Sequence, residues 1–209
     1  MTNIPKNNKI KVRSVSNFFN REEGDDESGQ YLEFAEYVVA KRAIPSVIDG
    51  LKPVVRKVLH AAFNTLNEKK YEKLLDLVGS TYRVSGYKHG DAALQDAVKK
   101  QNQDYTSTFA PLMVDGQGGS LRDPEAVTAP RYLDVRLALT SRIFKQDMEI
   151  LEYNYDGSFK IEPTYYLPII PTLLTQRNSG IALGYKFVSS CSYNPNDIIA
   201  GCIEVVKKG

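Results

Sequence analysis

The spacing of prolines, glycines and apolar residues between positions 53 and 119 constrains the fold of this chain more than any other feature. Apolar side chains recur at helical intervals after Lys52-Pro53, again over 71–78, and again after Asp91, a candidate helix N-cap. An apolar run at 112–114 then enters a Gly-rich stretch. The pattern predicts three short helices, with a turn-rich connection before the last, and then a strand that ends in a tight turn.

This order of elements predicts the α+β fold class and, within it, a winged-helix domain. Such a domain joins two helices by a turn, follows them with a glycine-tipped hairpin, and places one helix in the major groove of DNA. Groups of three short helices also occur in other folds. The winged helix is therefore a hypothesis that needs support from the residues themselves.

The segments before residue 53 and after residue 119 carry fewer signals of secondary structure. Residues 1–30 are polar and predict an N-terminal arm without regular structure. Ser28-Gly29 predicts the start of a helix that ends at Pro45. Farther along, the apolar spacing over 135–144 predicts another helix, and Asp156-Gly157 predicts a hairpin turn.

Composition indicates a globular protein and gives no support to a membrane-spanning one. Of the 209 residues, 42% are hydrophobic and 25% are charged. No run approaches the roughly 18 apolar residues of a membrane span. The two cysteines, Cys191 and Cys202, lack metal-site spacing. Free thiols are the simpler expectation, with a single disulfide as the alternative.

Charge is unevenly distributed, although the net charge is only +2. Positions 41–100 hold twelve Lys and Arg against six acids, whereas positions 21–36 hold seven acids. A locally basic segment suits a polyanionic partner such as nucleic acid, and it equally suits an ordinary solvated surface.

The first motif with candidate chemistry is a cluster of cations. Arg42, Lys52, Arg56 and Lys57 fall within sixteen residues. Two prolines and a glycine between them can bend the chain so that the four side chains surround one phosphate. The alternative is a loop with ordinary surface cations.

Two further motifs suit contact with a phosphate backbone. His89-Gly90-Asp91 directly precedes a predicted helix, where a histidine and free backbone N–H groups suit a bound phosphate. A lone histidine is more often structural. The glycine-rich segment 115–119 can approach another backbone closely.

The fourth motif is Arg131-Tyr132. A tyrosine phenol can attack a phosphodiester, and an adjacent guanidinium can stabilise the charge that builds on the phosphate. With 13 Tyr and 27 Lys and Arg in the chain, such a pair is expected by chance. A buried, hydrogen-bonded tyrosine is therefore the competing interpretation.

Six ordered motifs resemble those of the breakage-reunion proteins of type IIA DNA topoisomerases. This family includes the A protein of gyrase, the C protein of topoisomerase IV, the medium-sized phage protein and the central part of the eukaryotic enzyme. The motifs are Arg42-Ala43-Ile44-Pro45, Asp49-Gly50-Leu51-Lys52-Pro53 with Arg56, His89-Gly90-Asp91, Asp115-Gly116-Gln117-Gly118, Ala129-Pro130-Arg131-Tyr132, and Ser179-Gly180-Ile181-Ala182-Leu183-Gly184. The resemblance covers about residues 31–209. The sequences of the motifs Lys88-His89-Gly90 and Pro130-Arg131-Tyr132 are closer to the phage and eukaryotic branches than to gyrase.

The resemblance implies a domain organisation. Residues 1–30 would form a polar arm, 31–150 a winged-helix DNA-cleavage domain, and 151–209 the beginning of a truncated α/β tower domain. Family members continue through a tower, a coiled coil and an exit gate. The chain is therefore expected to be a fragment, a shortened form or the product of a split gene.

The resemblance also implies a reaction, that of an ATP-dependent type II DNA topoisomerase. Tyr132 would make a transient double-strand break by holding the 5′ end of DNA as a phosphotyrosine, before strand passage. Arg131, His89 and Arg42 would complete the catalytic set. The side chains expected to contact DNA are Lys52, Arg56, Lys57, Lys88, Gln117 and Ile181, the last as an apolar wedge between bases.

Partners and cofactors follow from the same resemblance. The chain shows no acidic cluster placed like the family's Mg²⁺ site, so no metal is expected on it. Mg²⁺ and ATP are expected on a partner subunit. Double-stranded DNA and a second copy of the chain across the DNA gate would be the other partners. We expect no membrane association and a cytoplasmic location in a bacterial or phage-infected cell.

Several positions depart from the gyrase pattern. Tyr87 stands where gyrase has a first histidine, and Lys57 stands where it has a second arginine, so those two support roles do not carry over directly. Ala92 replaces the hydroxyl residue that anchors quinolones, whereas Asp96 matches the acidic one. The resemblance therefore implies a weak quinolone response.

Two non-catalytic alternatives stay open. The chain can be a winged-helix DNA-binding protein without cleavage activity, or an assembly fragment that docks a partner through the acidic segment 21–36. The joint presence of Tyr132, Arg131 and His89 favours cleavage, because a protein that only binds DNA has no need for that trio.

Overall fold

Helices alternate with short antiparallel strands along the chain. The computed structural model describes residues 26–101, 103, 105–176, 178–183, 185–188 and 192–208, and its architecture is α+β. The helices are α1 (Asp26–Val38), α2 (Pro53–Thr65), α3 (Leu74–Ser85), α4 (Asp91–Gln101), α5 (Thr172–Thr175) and α6 (Pro195–Lys208). The strands are β1 (Glu72–Lys73), β2 (Leu112–Asp115), β3 (Asp134–Leu137), β4 (Tyr153–Asp156), β5 (Phe159–Pro163), β6 (Ser179–Ala182) and β7 (Tyr185–Val188).

Two features predicted from the sequence lie wholly or partly outside the described residues. Most of the arm predicted at 1–30 lies outside the described residues, and so does Cys191. Cys202 is a free thiol. Within the described part of the chain, no helix combines the length and the apolar composition needed to cross a bilayer.

The largest sheet is antiparallel, with β3 in the centre between β1 and β2. Val135 of β3 lies opposite both Glu72 of β1 and Val114 of β2, and Leu137 lies opposite Leu112. The other strands form the two hairpins β4–β5 and β6–β7. The predicted turn at Asp156-Gly157 is confirmed as the tip of the β4–β5 hairpin.

Helix α2 contributes to two apolar cores, which confirms its predicted apolar stripe. Val58 and Ala62 are fully buried in the first core, which α3, α4 and the sheet complete. Leu59 is fully buried in the second, against Phe144 and Tyr166. Because one rigid helix serves both cores, the two halves of the described chain are packed around a common element.

Helix boundaries differ from the prediction at both ends of the helical region. Helix α1 begins at Asp26, so Ser28 lies inside it, and the π-helical turn Val39–Ala43 extends it. Helix α3 runs through Gly79 to Ser85, where a turn-rich connection was predicted. It ends at Gly86, whose left-handed φ of 55° suits a glycine. An isolated glycine is tolerated in a helix whose other residues are well packed.

The helix predicted over 135–144 is wrong. Residues Asp134–Leu137 form the central strand β3, and a 3-10 helix follows at Leu139–Ile143. Along β3 the side chains alternate between half-buried and buried, which is the period of a strand. Pairing with strands on both sides satisfies its backbone and overrides the helical spacing of the apolar residues.

A buried ion pair joins the turn before α2 to the helix itself. The fully buried Asp49 accepts hydrogen bonds from Nε and Nη2 of Arg56 at 2.7 and 3.0 Å. It also accepts from the backbone N–H groups of Leu51 and Tyr166, each at 3.0 Å. Arg56 donates further to the carbonyl of Leu51 at 3.1 Å. Four donors thus surround one buried carboxylate.

We expect Arg56→Ala to destabilise the chain by about 3–5 kcal/mol, because it leaves the Asp49 charge buried without its partner. Urea denaturation measures the change. Arg142→Ala is the matched control, since Arg142 makes a bidentate ion pair with Glu68 at the surface. The control should lose much less stability. Equal losses in the two variants would contradict the assignment.

His60 makes stability depend on pH. Burial, partly opposed by the charge of Glu162, lowers the pKa of the imidazole, and Lys160 and Lys57 lower it further. The unfolded chain therefore binds a proton on His60 at a higher pH than the folded chain does. Stability from this residue is complete above the unfolded pKa of about 6.5 and falls as the pH drops below it.

We expect His60→Gln to lose less stability than the wild type between about pH 7.5 and pH 5.5, because the variant has no imidazole that takes up a proton more readily in the unfolded state than in the folded state. Urea midpoints at the two pH values measure the difference. His89→Gln is the control, since the exposed His89 ring has no comparable burial. Identical pH dependence in wild type and His60→Gln would refute the interpretation.

Candidate functional site

A cleft of about 410 Å³ gathers most of the cations that the sequence singled out. Its walls come from the end of the π-helical turn, the start of α2, the loop after α3 and strand β4. The basic side chains that line it are Arg42, Lys52, Lys57, Lys88 and His89. Concentrating positive charge in a concave site favours an anionic ligand.

Arg56 is the predicted DNA-contacting cation that the structure places elsewhere. It does not line the cleft, and its side chain is 7% exposed because it pairs with Asp49. Since the guanidinium is buried against Asp49 and Leu51, Arg56 serves the fold instead of a ligand. The predicted bend therefore brings Arg42, Lys52 and Lys57 together but leaves Arg56 out.

Two of the cleft cations are fastened to the protein. Lys57 donates to the carbonyl of Ser85 and to Oε1 of Glu162, both at 2.7 Å. Lys88 lies 3.3 Å from the carboxylate of Asp156 at the tip of the β4–β5 hairpin. The bonds of Lys57 tie the cleft walls together and reduce the charge that it can offer to a ligand, whereas the exposed Lys88–Asp156 pair contributes little.

Arg42 and His89 are exposed, and Lys52 is half-buried. Among the residues the structure describes, Arg42 makes no ion pair. Lys52 donates to the carbonyl of Ser179 on β6. Burial, followed by the charge of Lys100, lowers the pKa of Lys52. A bound anion would relieve both effects, so these side chains form the part of the cleft best suited to a phosphate.

The backbone before Lys52 is shaped by Gly50. Its φ of 64° is left-handed, and an added Cβ would come within 2.7 Å of the backbone nitrogen of Leu173. Only glycine satisfies both conditions without strain. The turn that carries Lys52 to the cleft mouth therefore depends on the glycine of the predicted Asp49–Pro53 motif.

Tyr132 is presented to solvent. It ends a 3-10 turn, Pro130–Tyr132, and its side chain is 64% exposed. The Arg131 guanidinium lies 5.2 Å from the centroid of its ring, within the range of a cation–π contact. This exposure argues against the competing interpretation of a buried, hydrogen-bonded tyrosine.

Tyr132 and the cation cleft lie at opposite ends of α3. At one end, the backbone N–H of Leu74 donates to the carbonyl of Leu133, next to Tyr132, at 3.0 Å. At the other end, the carbonyl of Ser85 accepts from the cleft residue Lys57. Leu74 and Ser85 are eleven positions apart, which corresponds to about 16 Å of helix. Within one chain the two groups therefore do not converge on one phosphate.

The predicted glycine-tipped segment packs beside Tyr132. An added Cβ on Gly116, whose φ is 111°, would come within 3.2 Å of the carbonyl oxygen of Tyr132. Gln117 is exposed, and its carbonyl accepts from the backbone N–H of Thr128 at 3.0 Å. The absence of a side chain at Gly116 thus allows the two predicted motifs to meet.

The remaining predicted residues lie on exposed elements. Ile181 is 73% exposed in the β6–β7 hairpin. Ala92 and Asp96 are exposed on α4, where Asp96 pairs with Lys99 at 2.7 Å. Within the described residues, no group of three or more His, Cys, Asp or Glu is placed to hold a metal ion.

Sequence reasoning missed three residues that shape the cleft: Tyr82, Asp156 and Glu162. Tyr82 donates to the carbonyl of His89, seven positions away, at 2.8 Å. Glu162 bonds a lysine 105 positions away. The position of Tyr82, one helical turn before the end of α3, could have suggested its contact with the following loop. No local sequence pattern predicts that Asp156 and Glu162 pair with cleft lysines far away in the chain.

The fold and the site define an α+β protein with a cation-lined cleft and an exposed Arg-Tyr pair. The chain belongs to the family of the A subunits of DNA gyrase and topoisomerase IV, whose match covers residues 42–209. Together with the relatives described next, the match confirms the resemblance to the N-terminal region of type IIA breakage-reunion proteins.

The similarity extends to proteins of bacteria and eukaryotes. The A subunit of DNA gyrase from Aeromonas salmonicida is 36% identical over 188 residues, which are 86% of this chain and 20% of that protein. DNA topoisomerase 2 of Arabidopsis thaliana is 37% identical over 166 residues, which are 77% of this chain and 11% of that protein.

A solved structure shows the same fold. The DNA-binding, cleavage and re-ligation domain of Plasmodium falciparum topoisomerase II superposes with a TM-score of 0.78 at 34% identity. The match covers 85% of this chain and 25% of that one. The chain thus spans between about a tenth and a quarter of the length of these relatives.

Proposed function

We propose that this chain is the DNA-binding and DNA-cleaving part of an ATP-dependent type II topoisomerase. The phenol oxygen of Tyr132 attacks a backbone phosphorus and gives up its proton to solvent, the bond to the 3′ oxygen breaks, and that oxygen takes a proton from solvent. The 5′ end stays on the protein as a phosphotyrosine, and the reverse attack reseals the strand. Because the ester replaces one phosphodiester by another, resealing needs no further energy source.

The exposed Arg131-Tyr132 pair is the observation that carries this proposal. A nucleophile must reach the phosphate, and Tyr132 is open to solvent on a turn fixed between β3 and the glycine-rich segment. The Arg131 guanidinium beside the ring can stabilise the charge that develops on the phosphate. In a member of this family, that geometry favours cleavage over binding alone.

The element order supports a winged-helix DNA-binding domain. Helix α2, strand β1, helices α3 and α4, and strands β2 and β3 follow one another as in that domain. Helix α4 buries Leu94 and Val98 and exposes Ala92 and Asp96, so its outer face is free to enter a groove. We assign residues from 151 onward to the beginning of a tower domain on the family resemblance.

The cleft supplies the groups that hold phosphates near the break. Arg42, Lys52 and His89 are the donors we assign to the phosphate, since Arg56 and Lys57 are engaged within the protein. Lys88 and Gln117 are exposed and suit neighbouring backbone contacts. Ile181 is exposed on a hairpin and suits insertion between bases.

The separation along α3 supports a homodimer. In the proposed dimer, Tyr132 of one chain meets the cation cleft of the second chain, so that each break uses residues of both copies. The described residues do not fit a metal site. On the family resemblance, we assign Mg²⁺ and ATP to a partner subunit.

Tyr132→Phe should abolish the covalent adduct between the chain and supercoiled DNA in the presence of its partner subunit, because the nucleophilic oxygen is gone. Arg131→Ala should lower adduct formation by about a hundredfold. Denaturing gels of detergent-trapped DNA measure both. Tyr31→Phe, at another exposed tyrosine, is the control and should react normally. An adduct that survives in Tyr132→Phe would refute the proposal and leave DNA binding or docking as the function.

Mixing Tyr132→Phe chains with Arg42→Ala chains tests the shared site. A mixed dimer keeps one intact pairing of Tyr132 with Arg42 if each site uses both copies, and none if each site uses one copy. We expect nicked DNA with covalently attached protein from the mixture, and far less from either variant alone. Absence of nicking from demonstrably mixed dimers would show that each chain builds its own site.

A further inference from the structure

The loop that carries His89 is held by the hydroxyl of Tyr82, on the last turn of α3. The Tyr82 oxygen lies 2.8 Å from the carbonyl oxygen of His89 and 2.6 Å from Oδ1 of Asp91. A phenol has one proton, so Tyr82 shares it between these acceptors or alternates between them. One side chain thus spans the turn from His89 to the first residue of α4.

Aromatic contacts connect the same residue to the His89 ring. The Tyr82 and Tyr87 rings meet edge to face, with centroids 5.3 Å apart. Tyr87 meets the His89 ring in the same way at 5.4 Å. Such geometry is the favourable one for aromatic pairs. Both the main chain and the imidazole of His89 are therefore linked to Tyr82.

Apart from Tyr87, which is buried in the first apolar core, the other restraints on this loop are weak. His89 is exposed, and a side chain added at Gly90 would meet no atom of the described residues within 4 Å. The Lys88–Asp156 pair is exposed at 3.3 Å, and such pairs contribute little. The hydrogen bond to Asp91, followed by burial, raises the pKa of Tyr82 to about 12. The hydroxyl therefore stays a donor throughout the neutral range.

We propose that Tyr82 is a positioning residue that fixes the orientation of His89 toward the cation cleft. Its effect on DNA cleavage rests on the proposed function. The orientation itself is a property of the chain alone, so the two parts of the inference can fail separately.

Histidine NMR tests the orientation. The chain has two histidines, His60 and His89. Labelling the Cε1 position therefore gives one probe in the loop and one reference on α2. We expect Tyr82→Phe to move the His89 resonance while the His60 resonance stays in place. Tyr71→Phe removes a hydroxyl outside the cleft and should change neither. An unchanged His89 resonance in Tyr82→Phe, at an unchanged melting temperature, overturns the proposal.

Tyr82→Leu separates the contribution of the Tyr82 ring from that of its hydroxyl. It removes the ring contact with Tyr87 as well as the hydroxyl, so the His89 resonance should move further in the direction seen for Tyr82→Phe. A displacement in Tyr82→Leu together with none in Tyr82→Phe would assign the restraint to the ring and overturn the role of the hydroxyl.

Cleavage with the partner subunit tests the consequence. We expect Tyr82→Phe to slow adduct formation by roughly five- to tenfold, the scale of one lost hydrogen bond, with DNA affinity changed less than about twofold. A displaced His89 resonance with a wild-type cleavage rate overturns the link to the reaction. If the wild type itself forms no adduct, the proposed function fails, and the resonances still decide whether Tyr82 positions His89.

Discussion

The buried carboxylate of Asp49 is the constraint on which the rest of the structure depends. It joins three parts of the chain, because it accepts from Arg56 on α2, from Leu51 in the turn and from the backbone of Tyr166. The backbone carbonyl of Asp49 also accepts a hydrogen bond, from the hydroxyl of Thr172 at 2.7 Å. A buried charge tolerates the loss of its partner poorly, so these parts hold one arrangement. Lys52, which immediately precedes α2, is thereby set at the mouth of the cleft.

Cations in this molecule divide into those that build the site and those left to bind a ligand. Arg56 and Lys57 carry charges that internal carboxylates satisfy, and they fix the cleft walls. Arg42 and His89 stay exposed in the same cleft. A count of basic residues over 41–100 therefore overstates the charge available to DNA. The paired cations nevertheless fix the walls that carry the remaining donors, which favours a defined phosphate position.

Local pattern predicted the elements whose signals are local. Helix α2 begins with a proline, and the β4–β5 hairpin turns at Asp156-Gly157, so the sequence predicted both elements. Strand β3 was mistaken for a helix because its apolar residues also fit helical spacing, and only its pairing with β1 and β2 decides between the two. The motifs located most of the cleft residues, but Arg56 was also predicted to contact DNA. Its buried ion pair with Asp49 could not be recognised from a stretch of sequence rich in basic residues. Charge pattern alone does not reveal which cations are paired inside.

The position of Tyr132 relative to the cleft has a mechanistic consequence under the proposed function. About 16 Å of helix separates the end of α3 beside Tyr132 from the end beside the cleft, and neither end can move toward the other without disrupting the packed core around α3. A single chain then holds a phosphate without attacking it. Cleavage becomes conditional on a second copy that brings its own Tyr132, so the free ends of a broken duplex are always held by an assembled pair. Under the proposed function, packing within one chain would thereby prevent breakage by an unassembled protein.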